Sequence, residues 1–369
     1  MNKIRVNLKE NSYDILIGTD ILPELGKIIE ANGWGREVII ITDPLVNDLY
    51  GDRVRKSFKT KPLVIETKRG ESHKTLAEAA RVFDILVRHG AHRDCLILAL
   101  GGGVVGDLAG FVAANYMRGV PYIQVPTTLL AQVDASIGGK TAVNHPKGKN
   151  LIGAFYQPKL VFIDVKTLTS LPVRELRTGL AEIVKYGLIK DASFFKFLEE
   201  NAHHLHTRAF EKEDTLRAAL KLWQTIVAES AKIKAEVVEK DEKEAKLRMI
   251  LNFGHTVGHA IESLTRYRSY NHGEAVAIGM VAASLISQKL GVCDPIVTER
   301  LCRLFDKLGL PSEIKGFPAA KIMAGINLDK KVLDGRINFV LPEKLGKVII
   351  RDNVPSEIVR QALVELGAK

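Results

Sequence analysis

His255, His259 and His272 fall within eighteen residues, among Gly254, Gly258 and Gly273, in a chain that holds ten histidines in all. Imidazole is the commonest side-chain ligand for zinc, and a site completed by one carboxylate leaves a position open for water or substrate, as catalytic zinc requires. His255 and His259, four apart, would share one face of a helix and mimic the histidine pair of H-E-x-x-H, but Thr256 stands where that motif has its glutamate. A zinc-peptidase base is therefore missing, and His272, beyond a turn at 269–271, competes with His259 for the second ligand position. Glu182 lies three residues before Lys185 among apolar residues, so it reads either as the carboxylate beside the histidines or as half of a local helix pair. The alternative for the histidines is a solvated helix surface.

A second chemistry is written at Gly101-Gly102-Gly103-Val104-Val105-Gly106, which satisfies G-x-G-x-x-G after a strand and at the opening of a helix. Glycines there let backbone approach a pyrophosphate, and the helix N-terminus offers unpaired N–H groups. The acidic residue expected on the ribose some 20 residues later is absent, because the next strand ends in Pro126 and Thr127. Asp43 could serve the ribose if its strand neighbours the glycine loop; otherwise it is a helix cap before Pro44. The polar stretch from Thr127 and Thr128 through Asp134, Ser136, Gly138, Gly139 and Lys140 to Lys149 and Asn150 suits phosphate and nucleotide, although a surface hairpin near 144–148 would look similar.

The elements that must position these groups divide the chain in two. Strands are expected at 37–42, 62–66, 95–100, 122–125 and 160–163, alternating with helices at 45–59, 76–89 and 104–114. That order implies a mostly parallel sheet covered on both faces. From 172 onward the period is helical, at 172–190, 216–238, 247–264 and 274–290, so residues 1–171 read as an α/β domain and 172–369 as an all-α one, with a cleft between them as the natural place for a site.

The chain has 369 residues, 46% hydrophobic and 26% charged, which suits a globular protein of two packed domains and excludes a membrane bundle. The one long stretch with little charge, 95–114, carries Gly101, Gly102, Gly103, Gly106 and Asp107 in its middle, so strand, loop and helix is the better reading. Cys95, Cys293 and Cys302 are too few and too far apart for a disulfide framework or a zinc–thiolate cluster, and residues 1–18 lack the pattern of a signal peptide, so a reduced cytoplasmic setting is expected. The net charge of +10 is spread among acidic residues with no basic run and interleaved aromatics, which reads as a solvated surface rather than a nucleic-acid track.

Three segments, in order, resemble the 3-dehydroquinate synthase family of sugar phosphate cyclases, over about residues 14–341. They are Gly101 through Asp107 to Phe111, Pro126-Thr127-Thr128 through Asp134 to Gly138-Gly139-Lys140, and Leu251 through Asn252, His255, His259 and Glu262 with His272-Gly273-Glu274. The resemblance implies a Rossmann-like NAD-binding domain, a metal-binding helical domain, and an NAD-dependent, zinc-requiring lyase, with cobalt as a possible substitute. Its reaction converts 3-deoxy-D-arabino-heptulosonate 7-phosphate to 3-dehydroquinate and phosphate by internal redox, elimination and aldol closure, with no net oxidation. Metal ligands then fall on Glu182, His255 and His272, and His259 becomes catalytic with Lys140, Asp134, Lys185 and Glu244. Substrate contacts fall on Asn150, Lys234, Arg248, Asn252 and Lys330, and on Arg118 reaching across a homodimer. Nucleotide contacts fall on Asp43, Glu71, Lys74, Gly101, Gly102, Gly103, Asp107, Thr127, Thr128, Lys149, Thr167 and Leu168. Neither nucleic acid nor membrane is implied as a partner.

Overall fold

The computed structural model describes residues 1–205, 213–265, 269–330 and 337–369, with the side chains of 214 and 328–330 outside the description. By its internal contacts the chain forms two units, Met1–Leu171 with Leu220–Lys243, and Pro172–Ala219 with Glu244–Lys369. The division at 171 is thus not the whole of it, because most of the long helix near residue 230 groups with the first unit.

The first unit is built on a seven-stranded sheet. In chain order it contains β1 (Asn2–Val6), β2 (Tyr13–Gly18), α1 (Leu25–Asn32), β3 (Glu37–Thr42), α2 (Pro44–Val46), α3 (Asp52–Arg55), β4 (Leu63–Glu66), α4 (Leu76–His89), β5 (Cys95–Gly101), α5 (Gly103–Asn115), β6 (Tyr122–Pro126), the hairpin β7 (Lys140–His145) and β8 (Gly148–Phe155), and β9 (Leu160–Asp164). The sheet order is β1-β2-β9-β6-β5-β3-β4, parallel except for the β1–β2 edge pair. Because helices cover both faces, the central strands are apolar on both: Ile39 and Ile41 pack with Ala79, Val82 and Val112, while Ile40, Leu98 and Phe162 pack with Leu25 and Ile29. The helix expected at 45–59 is a continuous helical run over 44–55, in which a wide turn at Asn47–Gly51 joins α2 to α3.

One feature of this order matters for chemistry. The chain steps from β3 outward to β4, then returns to place β5 on the other side of β3, so the strand order reverses between β3 and β5. In open α/β sheets ligands bind outside the carboxyl ends of the strands at such a reversal.

The second unit holds α6 (Val173–Lys190), α7 (Ala192–Asn201), the first residues of α8 (Glu213–Lys240), α9 (His255–Leu264), α10 (His272–Lys289), α11 (Pro295–Leu308), α12 (Ala319–Lys330) and α13 (Ser356–Glu365). It is not all helix, since β10 (Phe339–Lys344) and β11 (Lys347–Arg351) form an antiparallel hairpin whose turn needs Gly346 at φ 79°. The helix expected at 247–264 is two pieces, a 3₁₀ stretch Leu247–Asn252 and then α9. The break is Gly254, at φ 81°, where a Cβ would lie 2.6 Å from Met280 and 2.8 Å from the carbonyl of Val276 on α10. Only glycine satisfies both the left-handed backbone and that approach.

Candidate active site

In the second unit, three helices that abut closely bring one donor each to the same place. Glu182 comes from α6, His255 opens α9 and His272 opens α10. The helices approach through glycines: a Cβ on Gly273 would stand 2.4 Å from Thr178 Cα of α6, and one on Gly258 would stand 3.2 Å from the Ala275 carbonyl of α10. The start of α10 is held by a capping box, with Asn271 accepting from Glu274 N at 2.9 Å and Glu274 accepting from Asn271 N at 2.9 Å. Glu274 also receives both Nε (3.0 Å) and a terminal N–H (2.7 Å) of Arg174 from α6. His272 is therefore fixed at its backbone from two sides.

The donor atoms of Glu182, His255 and His272 all lie within 4.8 Å of one another. Glu182 Oε1 is 3.7 Å from His255 Nε2 and 3.4 Å from His272 Nε2. Ligands about 2.1 Å from a tetrahedral ion stand about 3.4 Å apart, so the two carboxylate–imidazole spacings fit a divalent ion, and two imidazoles with a carboxylate are a zinc-type set. The second carboxylate oxygen of Glu182 pairs with Lys185 Nζ, and both side chains are fully buried. The two sequence readings of Glu182 thus coexist in one residue, one oxygen toward the local pair and one toward the histidines.

Each imidazole is anchored through its other nitrogen. His255 Nδ1 is 3.1 Å from the Phe253 carbonyl, and His272 Nδ1 is 3.4 Å from Glu262 Oε1. Burial and the nearby Lys185 charge push His255 down to about 3, so its ring is neutral, as a ligand must be. Burial also opposes a charge on His272, but Glu182 and Glu262 outweigh it and raise that group to about 10. A place that stabilises positive charge so strongly is one where a divalent ion competes well with a proton. His259 is exposed, and its ring meets that of His255 edge-on at 5.3 Å between centroids. In the same unit Arg248 is buried, and Asn252 Nδ2 donates to Glu244 Oε1 at 3.2 Å. Lys330 closes α12, with its side chain outside the described residues.

In the first unit, the reversal of strand order brings Asp43, at the end of β3, beside Gly101, Gly102 and Gly103, at the end of β5. Asp43 Oδ1 also caps α2, accepting from Leu45 N at 3.0 Å and Val46 N at 3.2 Å. Below the glycine loop Lys74, 3% exposed, donates to Asp107 Oδ2 and Asn150 Oδ1, both at 2.7 Å, and pairs with Glu71 at 3.2 Å. Burial works against a charge on Lys74, yet the carboxylates of Asp107 and Glu71 prevail and raise its pKa. Asn144 joins the cluster through Glu71 Oε1 at 2.8 Å.

Thr127 is buried and its N–H bonds the Gly101 carbonyl at 2.9 Å, while Thr128 Oγ1 accepts from Ala131 N. Thr167 and Leu168 follow β9, where the Gln132 amide ties Thr167 Oγ1 at 3.0 Å to the carbonyls of Pro126 and Asp164. Lys234, from the part of α8 in this unit, donates to Asp134 Oδ1 at 2.7 Å. Lys140 and Lys149 lie exposed on the hairpin β7–β8, and Arg118 is exposed on the turn after α5 at φ 67°.

Sequence reasoning gave no role to Glu262, Asn144, Gln132 or the Arg174–Glu274–Asn271 brace. Only the brace left a signal, Asn271-x-x-Glu274 before an apolar run.

Comparison with known proteins agrees over the whole chain. Residues 64–178 match the family model "3-dehydroquinate synthase N-terminal" and 179–332 match "3-dehydroquinate synthase C-terminal". A curated 3-dehydroquinate synthase of Rippkaea orientalis is 48% identical over 365 residues, 98% of each chain. Among solved structures, 2-epi-5-epi-valiolone synthase of Streptomyces hygroscopicus with NAD+ and Zn2+ aligns at TM-score 0.86 and 29% identity, over 98% of both chains. A 2-deoxy-scyllo-inosose synthase with carbaglucose-6-phosphate, NAD+ and Co2+ aligns at 0.87 and 27%, over 99% of this chain and 100% of that one.

Proposed function

This chain belongs to the 3-dehydroquinate synthase family, and on that premise we propose which of its residues carry the reaction. It is an NAD- and divalent-metal-dependent lyase that converts 3-deoxy-D-arabino-heptulosonate 7-phosphate to 3-dehydroquinate and inorganic phosphate in the shikimate pathway. The observation that carries the site assignment is the convergence of Glu182, His255 and His272 within 4.8 Å.

NAD+ supplies a hydride acceptor that later returns the hydride, and the divalent ion, zinc with cobalt as a substitute, supplies a Lewis acid for the hydroxyl that gives it up. Glu182, His255 and His272 would hold the ion. His259, beside this set without joining it, would hold the proton exchanged with the substrate hydroxyl. The N-terminus of α5 presents unpaired N–H groups at the glycine loop for the pyrophosphate, and Asp43 is the ribose acceptor. Glu71, Lys74, Asp107, Thr127, Thr128, Lys149, Thr167 and Leu168 complete the nucleotide set.

Lys234 and Arg248 are assigned to the substrate carboxylate, and Lys140, Asn150 and Asn252 to the phosphate, held so that it removes the proton itself. Asp134 and Glu244 orient Lys234 and Asn252, to which they are bonded in the structure. Lys185 donates to a substrate hydroxyl, and Lys330 is assigned to phosphate from the sequence alone. Arg118, exposed after α5, is assigned to the site of a second copy, making the working form a cytoplasmic homodimer. No helix among the described residues is long and apolar enough to cross a membrane.

The test is phosphate release from the heptulosonate phosphate with NAD+ and zinc, with NADH absorbance followed and the assay repeated after chelation. Metal-dependent release with no net NADH supports the assignment. Accumulating NADH would make the chain a dehydrogenase, and turnover of a different sugar phosphate alone would make it a sister cyclase.

A further inference from the structure

We propose that Glu262 is a positioning residue for the metal site, turning the His272 ring so that Nε2 faces Glu182 and His255. The inference rests on the ligand set proposed above. Glu262 sits on α9, seven residues after His255, and is only 5% exposed, an unusual place for a carboxylate with no assigned part in the reaction. Its Oε1 lies 3.4 Å from His272 Nδ1, while Nε2 on the far side of the ring lies 3.4 Å from Glu182 Oε1. One imidazole is thus set between two carboxylates, one per nitrogen.

That arrangement matters because the His272 side chain keeps 30% of its exposure, against 14% for His255. Its χ2 torsion is of the broad, roughly two-fold kind. A carboxylate on Nδ1 places the proton there and leaves the Nε2 lone pair for a metal, and it makes that nitrogen more basic. His255 has only the neutral Phe253 carbonyl in the corresponding position. The α9 helix therefore contributes to both imidazoles, carrying one and orienting the other.

The experiment follows zinc transfer from the full-length holoenzyme to a chromophoric chelator, with cobalt(II) absorption as a second reading of coordination. Glu262→Ala is expected to lose about 10–100-fold in zinc affinity and to alter the cobalt spectrum. Glu262→Gln keeps the shape and an acceptor oxygen, so it is expected to lose less than Glu262→Ala, and it decides the matter if the alanine variant does not fold. Wild-type affinity and an unchanged cobalt spectrum in these variants would overturn the inference, even if their melting temperatures fell. His272→Ala runs alongside: if it loses zinc while the Glu262 variants do not, the ligand set stands without this role, and if it too binds like wild type, the ligand set itself is wrong.

Discussion

Replacing Gly273 with alanine would add one methyl group and should weaken the protein's hold on its metal. The new Cβ would lie 2.4 Å from Thr178 Cα, 2.5 Å from its carbonyl oxygen and 2.8 Å from its carbonyl carbon. Non-bonded carbon atoms settle at about 3.5–4.0 Å, so α10 must retreat from α6 by about 1 Å, and the obstacle is backbone that cannot rotate away. His272 is the adjacent residue and would move with it, whereas Glu182 stays on α6. Metal–ligand distances tolerate about 0.2 Å, one-fifth of that displacement. The expected result is a loss of about 10–100-fold in zinc affinity, the scale seen when a ligand's support is disturbed, together with about 1–3 kcal/mol of overpacking. The assay is chelator competition paired with thermal denaturation. Gly110→Ala is the control, because its Cβ would stand 2.4 Å from Thr141 Cγ2 in the first unit, so it should lower stability without touching zinc affinity. Gly273→Ala that melts earlier yet binds zinc as tightly as the wild type would refute the reasoning.

His259→Ala should retain its metal and lose turnover, since the exposed His259 stands beside the ligand set without entering it; metal analysis of the purified variant checks this, and a zinc-free protein would reassign the ligands. Glu274 supplies the pH prediction: burial alone would raise its pKa, but Arg174 and the Asn271 N–H prevail and hold it below its ordinary 4.5. Its stabilising part is therefore complete above about pH 4.5 and is lost as pH falls through the depressed value, so Glu274→Gln should flatten the acid side of the melting-temperature profile. An unchanged acid limb in that variant would count against the brace.

What was legible in the sequence follows from how local each signal is. The glycine loop declares itself because strand, turn and helix are contiguous, and β3, β5, β6 and β9 came within a residue or so because they are largely buried on both faces and apolar residues dominate them. The role of Asp43 depended on which strands are neighbours, and periodicity cannot show that; the outward step to β4 and the return to β5 put it beside the glycines. Residues 45–59 do fold as one helical run, over 44–55, whereas 247–264 carries a helical period right through a break, because apolar spacing persists across one turn of altered backbone. Gly254 was the signal in the second, yet a glycine inside a helical pattern does not announce a left-handed conformation by itself.

The metal site shows why spacing alone left the choice between His259 and His272 open. Four residues along α9 bring His259 near His255 at no cost, which is what a sequence pattern detects. What brings His272 to Glu182 is the close passage of α10 against α6 at Gly273 and against α9 at Gly258, and these are contacts between segments about 80 to 100 residues apart or across an intervening turn. The small residues that permit such passage are visible in the sequence only as glycines, with nothing to say which helix they admit. Glu262 illustrates the same limit: seven residues after His255 it reads as one more position on α9, and only the seating of α10 makes it the partner of an imidazole on another helix. On the proposed ligand set, the choice of His272 over His259 is thus made by helix packing, so a change at Gly273, and to a smaller degree at Gly258, should weaken metal binding without touching a ligand.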